Sequence, residues 1–167
     1  MAKKSSKSNM RALWDFVTLV LAGLLLGFMA LPQLSVLLVG ETITSASGYD
    51  LISFEDGANT GLSVVLLLLV IFAALLALFA ILKLLADLGV VKSSGFNKFA
   101  TFGLLLSAIA VAVLVIVNCI VTGTYCDGEA NPITDKVSGR VANWATLIVN
   151  AVIGVGSLAT SAVAMKK

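Results

Sequence analysis

Four long apolar segments constrain the fold of this chain more than any other feature. They cover residues 13–31, 61–88, 99–122 and 141–165, to within a few residues at each end. A helix that rises about 1.5 Å per residue needs roughly 20 mostly apolar residues to cross a hydrocarbon core about 30 Å thick, and each segment has that length. The sequence therefore predicts an all-α integral membrane protein, with one four-helix transmembrane bundle over residues 13–165.

Composition supports the same fold class. The chain has 167 residues, of which 59% are hydrophobic and 12% are charged, whereas soluble domains carry roughly a quarter charged residues. A chain this short cannot bury so much apolar surface in one water-soluble core, because small domains keep a large surface fraction. The excess apolar surface is therefore expected to contact lipid.

The charged residues are distributed unevenly between the two ends of such a bundle. If the leader 1–12, the loop 89–98 and the tail 166–167 are cytoplasmic, nine of the eleven basic residues lie on that side: Lys3, Lys4, Lys7, Arg11, Lys83, Lys92, Lys98, Lys166 and Lys167. The outer loops 32–60 and 123–140 then hold Lys136 and Arg140, with most of the acidic residues: Glu41, Asp50, Glu55, Asp56, Asp127, Glu129 and Asp135. Cytoplasmic retention of Lys and Arg is the positive-inside rule. We therefore expect a multi-pass plasma membrane protein with both termini in the cytoplasm.

The basic leader and the first apolar segment allow two further alternatives. A cleaved signal peptide would have an apolar region of about 7–15 residues, shorter than this one, so a retained signal anchor is preferred. The short basic leader adjoins a span, so we expect it to contact anionic lipid and not nucleic acid.

The first outer loop contains a segment with two interpretations. Pro32–Thr44 either extends the first helix beyond a proline kink or leaves the membrane as a strand, and its β-branched residues favour the strand. A turn at Ala46–Gly48 and a returning strand at Tyr49–Phe54 would complete a small extracellular β-hairpin. Because a two-stranded hairpin is marginally stable alone, we expect support from the other outer loop or from a partner.

Rows of small or polar residues at helical spacing predict the packing faces of the four spans. Within lipid, helices associate through close packing and polar contacts, since the hydrophobic effect does not drive them together. The predicted helix-packing residues are Gly23, Gly27 and Ala30; Ala73, Ala77 and Ala80; Gly103, Ser107, Ala110 and Asn118; and Asn143, Asn150, Gly154, Ser157 and Ser161. The first row is a GxxxG pattern, which serves either packing within the chain or dimerisation. The asparagines are interpreted as interhelical hydrogen-bonding residues, with a polar path as the alternative.

Aromatic and ionisable residues near the span ends are interpreted as structural. Trp14 at the inner interface and Tyr125 and Trp144 at the outer interface are predicted membrane anchors. Arg11 with Asp15, and Lys83 with Asp87, are each four residues apart and predict two separate ion pairs, in which Lys83 extends towards the lipid headgroups. The chain contains no His, and none of its spans has an acidic residue at its middle. This pattern is unlike that of a proton- or ion-coupled pump.

Few residues suggest covalent or metal chemistry. Cys119 and Cys126 would lie about 10 Å apart along a continuous helix, too far for a disulfide. Cys126 is interpreted as a free outer thiol or an interchain link, and Cys119 as a small buried residue. The acidic segments 54–61 and 127–135 raise a calcium hypothesis, but they lack the alternating ligand pattern of a preformed loop, so solvated loops are preferred. With no nucleotide, zinc or nucleophile motif in the sequence, we expect no catalytic residues, cofactor or metal.

The topology resembles that of claudin-type tetraspan proteins. Four spans, cytoplasmic ends, an extended first outer loop and a shorter inner loop carry this resemblance, although Glu41–Gly61 lacks the Trp and Cys signature of the claudin first loop. The lysine-rich leader and compact loops are similar to those of small bacterial tetraspan membrane proteins.

The packing rows and the lack of catalytic motifs predict a non-enzymatic accessory or structural subunit. It would act through helix packing and its outer loops, as a homo-oligomer or with another membrane protein. The alternative is an oligomeric channel or transporter subunit with a path lined by Asn118, Asn143 and Asn150. A membrane enzyme is disfavoured, because no acid–base pair or metal-ligand set lies at one depth.

Overall fold

The computed structural model describes residues 2–38, 41–54, 59–127 and 139–165. Over these residues the chain forms α1 (Ala2–Phe28), β1 (Pro32–Leu38), β2 (Glu41–Ser47), α2 (Thr60–Asp87), α3 (Ser94–Asp127), β3 (Gly139–Ala142) and α4 (Trp144–Met165). Each of the four helices contains a segment long and apolar enough to cross a membrane. The predicted four-helix transmembrane bundle with a small β-element is therefore confirmed.

The helices extend beyond the predicted spans at some ends and stop short at others. α1 begins at Ala2, so its backbone is helical through nearly all of the predicted leader, and α3 runs from Ser94 to Asp127. α1 ends at Phe28, before Leu31, and the turn at residues 48–51 supplies hydrogen-bond donors to carbonyls at and just after this end. The Tyr49 hydroxyl donates to the Leu26 carbonyl at 2.8 Å, and the Gly48 N–H donates to the Met29 carbonyl at 2.8 Å.

Local capping sets both ends of α2. The Asn59 side chain accepts a hydrogen bond from the Leu62 N–H at 3.0 Å, which satisfies a free donor of the first turn. Gly89 follows the helix with a φ of +76°, a left-handed conformation that glycine adopts without steric cost. Gly89 therefore ends α2 through its own backbone conformation.

The four helices pack in a ring, in which α1 contacts α2 and α4, and α3 contacts the same two helices. Leucines such as Leu25, Leu66 and Leu104 are fully buried in the centre. Large apolar residues are exposed on the outer faces of all four helices, as a lipid-facing surface requires: Leu24, Ile71, Leu78, Leu106, Ile116 and Val152.

Glycines allow the closest helix contacts. A methyl group added at Gly154 in α4 would lie 2.7 Å from Cγ2 of Val115 in α3, and one added at Gly103 would collide with the Phe79 ring from α2. These two positions therefore set the separation of α3 from its two neighbours.

A three-stranded antiparallel sheet covers the end of the bundle where α1 ends and α4 begins. The strand order is β2-β1-β3, with Ser35 opposite both Ser45 in β2 and Val141 in β3. The predicted hairpin exists, but the predicted turn is wrong: the second strand is Glu41–Ser47, and residues 48–51 form a turn in place of a returning strand. The strand β3 comes from the segment between α3 and α4 and pairs with β1, so the second of the two predicted loops supports the hairpin as expected.

Hydrogen bonds to Asp50 stabilise the turn that follows β2. The Asp50 carboxylate accepts from the Ser47 N–H at 2.9 Å and from the Ser47 hydroxyl at 2.7 Å. These two donors favour the ionised carboxylate and hold the pKa of Asp50 below its ordinary value. The exposed turn is consequently held by a charge that persists in mildly acidic solution.

Candidate functional site

A buried polar network joins the sheet to the bundle. Gln33, in β1, is fully buried, and its Oε1 accepts a hydrogen bond from Nδ2 of Asn118 in α3 at 3.1 Å. The hydroxyl of Thr122 donates to Oδ1 of Asn118 at 3.3 Å. Nε2 of Gln33 lies 3.1 Å from the Met29 sulfur, and the Gln33 carbonyl accepts from the Asn143 N–H at 2.9 Å. One side chain of β1 thus ties the sheet to α1 and α3, while its backbone ties the sheet to the start of α4.

The network lies beside a small apolar cluster made of Leu34, Cys126, Ala142 and Leu147. Together they fix the sheet against the helices, since an amide buried in this environment needs partners of fixed geometry. Gln33 is not marked as a structural residue by any pattern in the sequence. A glutamine directly after a proline also occurs in solvated loops. Its hydrogen-bond partner, Asn118, is distant in the sequence, so no local pattern reveals the contact.

Three of the four predicted packing rows contain residues that face the interior of the bundle. Those that are buried are Ala73 and Ala80 on α2; Gly103, Ser107 and Asn118 on α3; and Asn150, Gly154, Ser157 and Ser161 on α4, while Ala77 and Ala110 are half-buried. The three serine hydroxyls donate to backbone carbonyls within their own helices: Ser107 to Gly103, Ser157 to Gly154 and Ser161 to Ser157. These serines pack as small residues, with their hydroxyls satisfied locally.

The row on α1 does not pack within the chain. Gly23, Gly27 and Ala30 are exposed, and a methyl group added at either glycine would meet no atom within 4 Å. The interpretation of these residues as an intramolecular packing face is therefore wrong. α1 instead turns Asp15 and Thr18 inward, and the Thr18 hydroxyl lies 2.7 Å from that of Thr160 on α4. Dimerisation through Gly23 and Gly27 stays a prediction.

The three asparagines proposed to line a path have different environments. Asn143 precedes α4 and caps it, because its Oδ1 accepts from the Thr146 N–H at 3.4 Å, so its place in the packing row of α4 is wrong. Asn118 is occupied by the network with Gln33. Asn150 is fully buried, and within the described parts of the chain neither polar atom of its side chain has a hydrogen-bond partner.

The predicted aromatic anchors lie at opposite ends of the bundle. Trp14 is half-buried near the beginning of α1, whereas Tyr125 and Trp144 lie beside the sheet. Trp144 is 51% exposed, with its ring against Gly123. The Arg140 guanidinium lies 4.4 Å from the centre of the Tyr125 ring, a cation–π contact that holds β3 to α3. Their role at membrane interfaces stays a prediction.

Neither cysteine forms a disulfide within the described residues, and both lie on α3. Cys126 is 6% exposed and belongs to the apolar cluster beneath the sheet. This burial contradicts the interpretation of Cys126 as a link to another chain, whereas the alternative of a thiol outside any disulfide agrees with the structure. Cys119 is the more exposed of the two, and its sulfur lies 3.6 Å from the Leu147 carbonyl.

An ion cluster lies between α1 and α2 at the end of the bundle opposite the sheet. Lys83 Nζ is 2.6 Å from Oδ2 of Asp87 and 4.0 Å from Oδ2 of Asp15. Lys83 thus lies between Asp87, its expected partner, and Asp15, which was expected to pair with Arg11 instead. Lys83 is 4% exposed, so its predicted extension towards the headgroups is wrong, and Asp15 is completely buried.

The four apolar helices and the sheet at one end define a multi-pass helical membrane protein. Comparisons with protein-family models, with curated proteins and with solved structures found no match. Among the described residues, no three side chains of His, Cys, Asp or Glu are grouped as a metal site would require. The segments considered for calcium, 54–61 and 127–135, fall largely outside the described residues.

Proposed function

We propose that this protein is a non-enzymatic structural subunit of the plasma membrane that associates with a second copy of itself through the outer edge of β2. In this proposal the sheet lies outside the cell and both termini lie in the cytoplasm, as the charge distribution favours. The single observation that supports the proposal is that the outer edge of β2 is unpaired within the described residues and contains no Lys or Pro.

The β2 edge lacks the usual protections against strand pairing. One edge of β2 pairs with β1. Within the described residues, no strand pairs with the other edge of β2. Exposed edges are normally blocked by Lys, Pro or inward charges, yet β2 reads ETITSAS, with Glu41 at its end as its one charged residue. The opposite edge strand, β3, carries Arg140.

The membrane favours pairing of two copies through this edge. Copies inserted with the same orientation present β2 at the same height, and pairing about a two-fold axis perpendicular to the strands would make the two strands antiparallel. Thr44 is the central residue of β2 and is exposed. It would therefore lie close to its equivalent across the axis.

We expect Thr44→Lys to weaken self-association at least about tenfold, because two like charges would meet at the centre of the paired strands. The fraction of dimer would be measured in lipid bilayers by single-molecule photobleaching over a range of protein-to-lipid ratios. Thr60→Lys is the matched control, since Thr60 is exposed at the sheet end of α2 and receives the same charge. Equal loss in both variants, or a wild-type protein that stays monomeric throughout, would contradict the proposal.

A second candidate function, a subunit of a channel or transporter, is favoured by Asn150 alone. A fully buried amide without a described partner is costly unless water or a solute binds it. If Asn150 lines a path, Asn150→Leu should abolish solute or ion flux into liposomes while the protein stays folded. Asn97→Leu, at an exposed position near the opposite end of the bundle, is the control. Flux that survives Asn150→Leu would remove Asn150 from this function.

A further inference from the structure

The ion cluster between α1 and α2 contains two acidic side chains, Asp15 and Asp87, but one buried basic side chain, Lys83. Asp15 is completely buried, and among the described residues its carboxyl group has no hydrogen-bond partner other than the carboxyl group of Asp87. Lys83 Nζ lies 4.0 Å from Oδ2 of Asp15, which is beyond hydrogen-bonding distance. The same ammonium is 2.6 Å from Asp87. Two carboxyl groups therefore compete for one ammonium, and Asp87 is the closer.

The surrounding charges do not offset this arrangement within the core. On α1, Arg11 lies one turn before Asp15 and is half-exposed, so water screens its charge more than that of Lys83. α4 carries no ionisable residue between Trp144 and Met165, and the two cations near the start of α3, Lys92 and Lys98, are both exposed. With both carboxyl groups ionised, the buried trio Asp15, Lys83 and Asp87 would carry a net negative charge. An isolated buried carboxylate costs several kcal/mol.

We propose that Asp15 is a proton-binding site that holds one exchangeable proton at neutral pH. The proton comes from the solvent and binds a carboxyl oxygen of Asp15, while Asp87 stays ionised against Lys83. The trio is then neutral, and burying it becomes much less costly. The site depends on Asp87, because Asp87 occupies the ammonium that would otherwise stabilise an ionised Asp15. This inference concerns the end of the bundle opposite β2 and does not depend on the proposed dimer.

The proton can be observed directly by infrared spectroscopy of the full chain in lipid. At neutral pH the wild-type protein should show the C=O stretch of one protonated carboxylic acid per chain, and the band should shift in D₂O. Asp15→Asn should remove the band. Asp50→Asn should leave it unchanged, because Asp50 is an exposed and ionised carboxylate outside the cluster.

The Asp87→Asn variant distinguishes two explanations for a protonated Asp15: competition with Asp87 for Lys83, as proposed, or burial alone. Without the Asp87 charge, Lys83 can pair with Asp15, so the band should disappear from this variant as well; a band caused by burial alone would persist. Absence of the band from the wild type, or its persistence in either Asp15→Asn or Asp87→Asn, would overturn the proposal. The wild-type spectrum should be the same in sodium and in choline salts, and a band lost only in sodium would overturn it in favour of a sodium site.

Discussion

Replacing Lys83 with Met is expected to lower the free energy of unfolding by about 3–5 kcal/mol, the cost of removing one partner from a buried ion pair. The substitution keeps the length and much of the packing of the side chain. It leaves Asp87, whose carboxylate lies 2.6 Å from Nζ in the native protein, without its buried cation. Equilibrium unfolding in mixed micelles, followed by the fluorescence of Trp14 and Trp144, would measure the change.

Lys98→Met is the control for this prediction, because Lys98 is exposed at the same end of the bundle. Surface substitutions of this kind usually change stability by less than about 0.5 kcal/mol. Addition of Asp87→Asn to Lys83→Met should recover much of the loss, since the uncompensated charge is then removed as well. If Lys83→Met and Lys98→Met had equal effects, the ion cluster would not stabilise the bundle.

Replacing Asn118 with Leu is expected to cost about 2–3 kcal/mol. The change removes the donor to Gln33 Oε1 and the acceptor for the Thr122 hydroxyl, and a buried polar group that loses its partner costs about 1–3 kcal/mol. Because Gln33 lies in β1, we also expect the sheet to separate from the helices before the bundle unfolds. Hydrogen exchange of the β1 and β3 amides would detect this step.

A double-mutant cycle tests whether Asn118 acts through Gln33. The variant with both Gln33→Leu and Asn118→Leu should be more stable than the sum of the single effects predicts, because replacing both partners with apolar groups leaves fewer unsatisfied atoms. Asn97→Leu, at an exposed site on the same helix, should change stability little. Additive single effects would show that the two amides contribute independently.

The number and class of the spans could be predicted because they depend on local composition. Each apolar segment is long enough by itself, and no distant residue is needed to place it in lipid. The end of α2 could also be predicted, since a glycine at Gly89 acts through its own backbone. The β-branched residues after Pro32 likewise predicted strand where the structure has β1.

The orientation of α1 about its axis could not be predicted from spacing. Gly23 and Gly27 form a recognisable row, yet they face outward, while Asp15 and Thr18 face the other helices. A helix that is apolar on most faces gains little in lipid from burying any particular one. Contacts with Lys83 on α2 and Thr160 on α4 decide which face turns inward.

In the sheet, the presence of a strand could be predicted from the sequence, but the position of the turn could not. Residues after Pro32 favour a strand, but the position of the turn depends on which segment pairs with β1. Two contacts fix the position of β1: the hydrogen bond between Gln33 and Asn118, and the pairing of β3 with the other edge of β1. Neither contact involves neighbours in sequence, so turn-forming residues at Ala46–Gly48 were an insufficient guide.

The sequence by itself determined that the helices lie in lipid, how many helices there are, and that charge is distributed unevenly between the two ends of the bundle. Each of these properties depends only on the composition of local segments. Only the tertiary structure decided which small residues touch, that Gln33 anchors the sheet, and that Asp15 and Asp87 share Lys83. The physical reason is that these features are pairings between distant groups. In a bundle surrounded by lipid, close packing and polar partners choose among arrangements that apolarity alone leaves nearly equal in free energy.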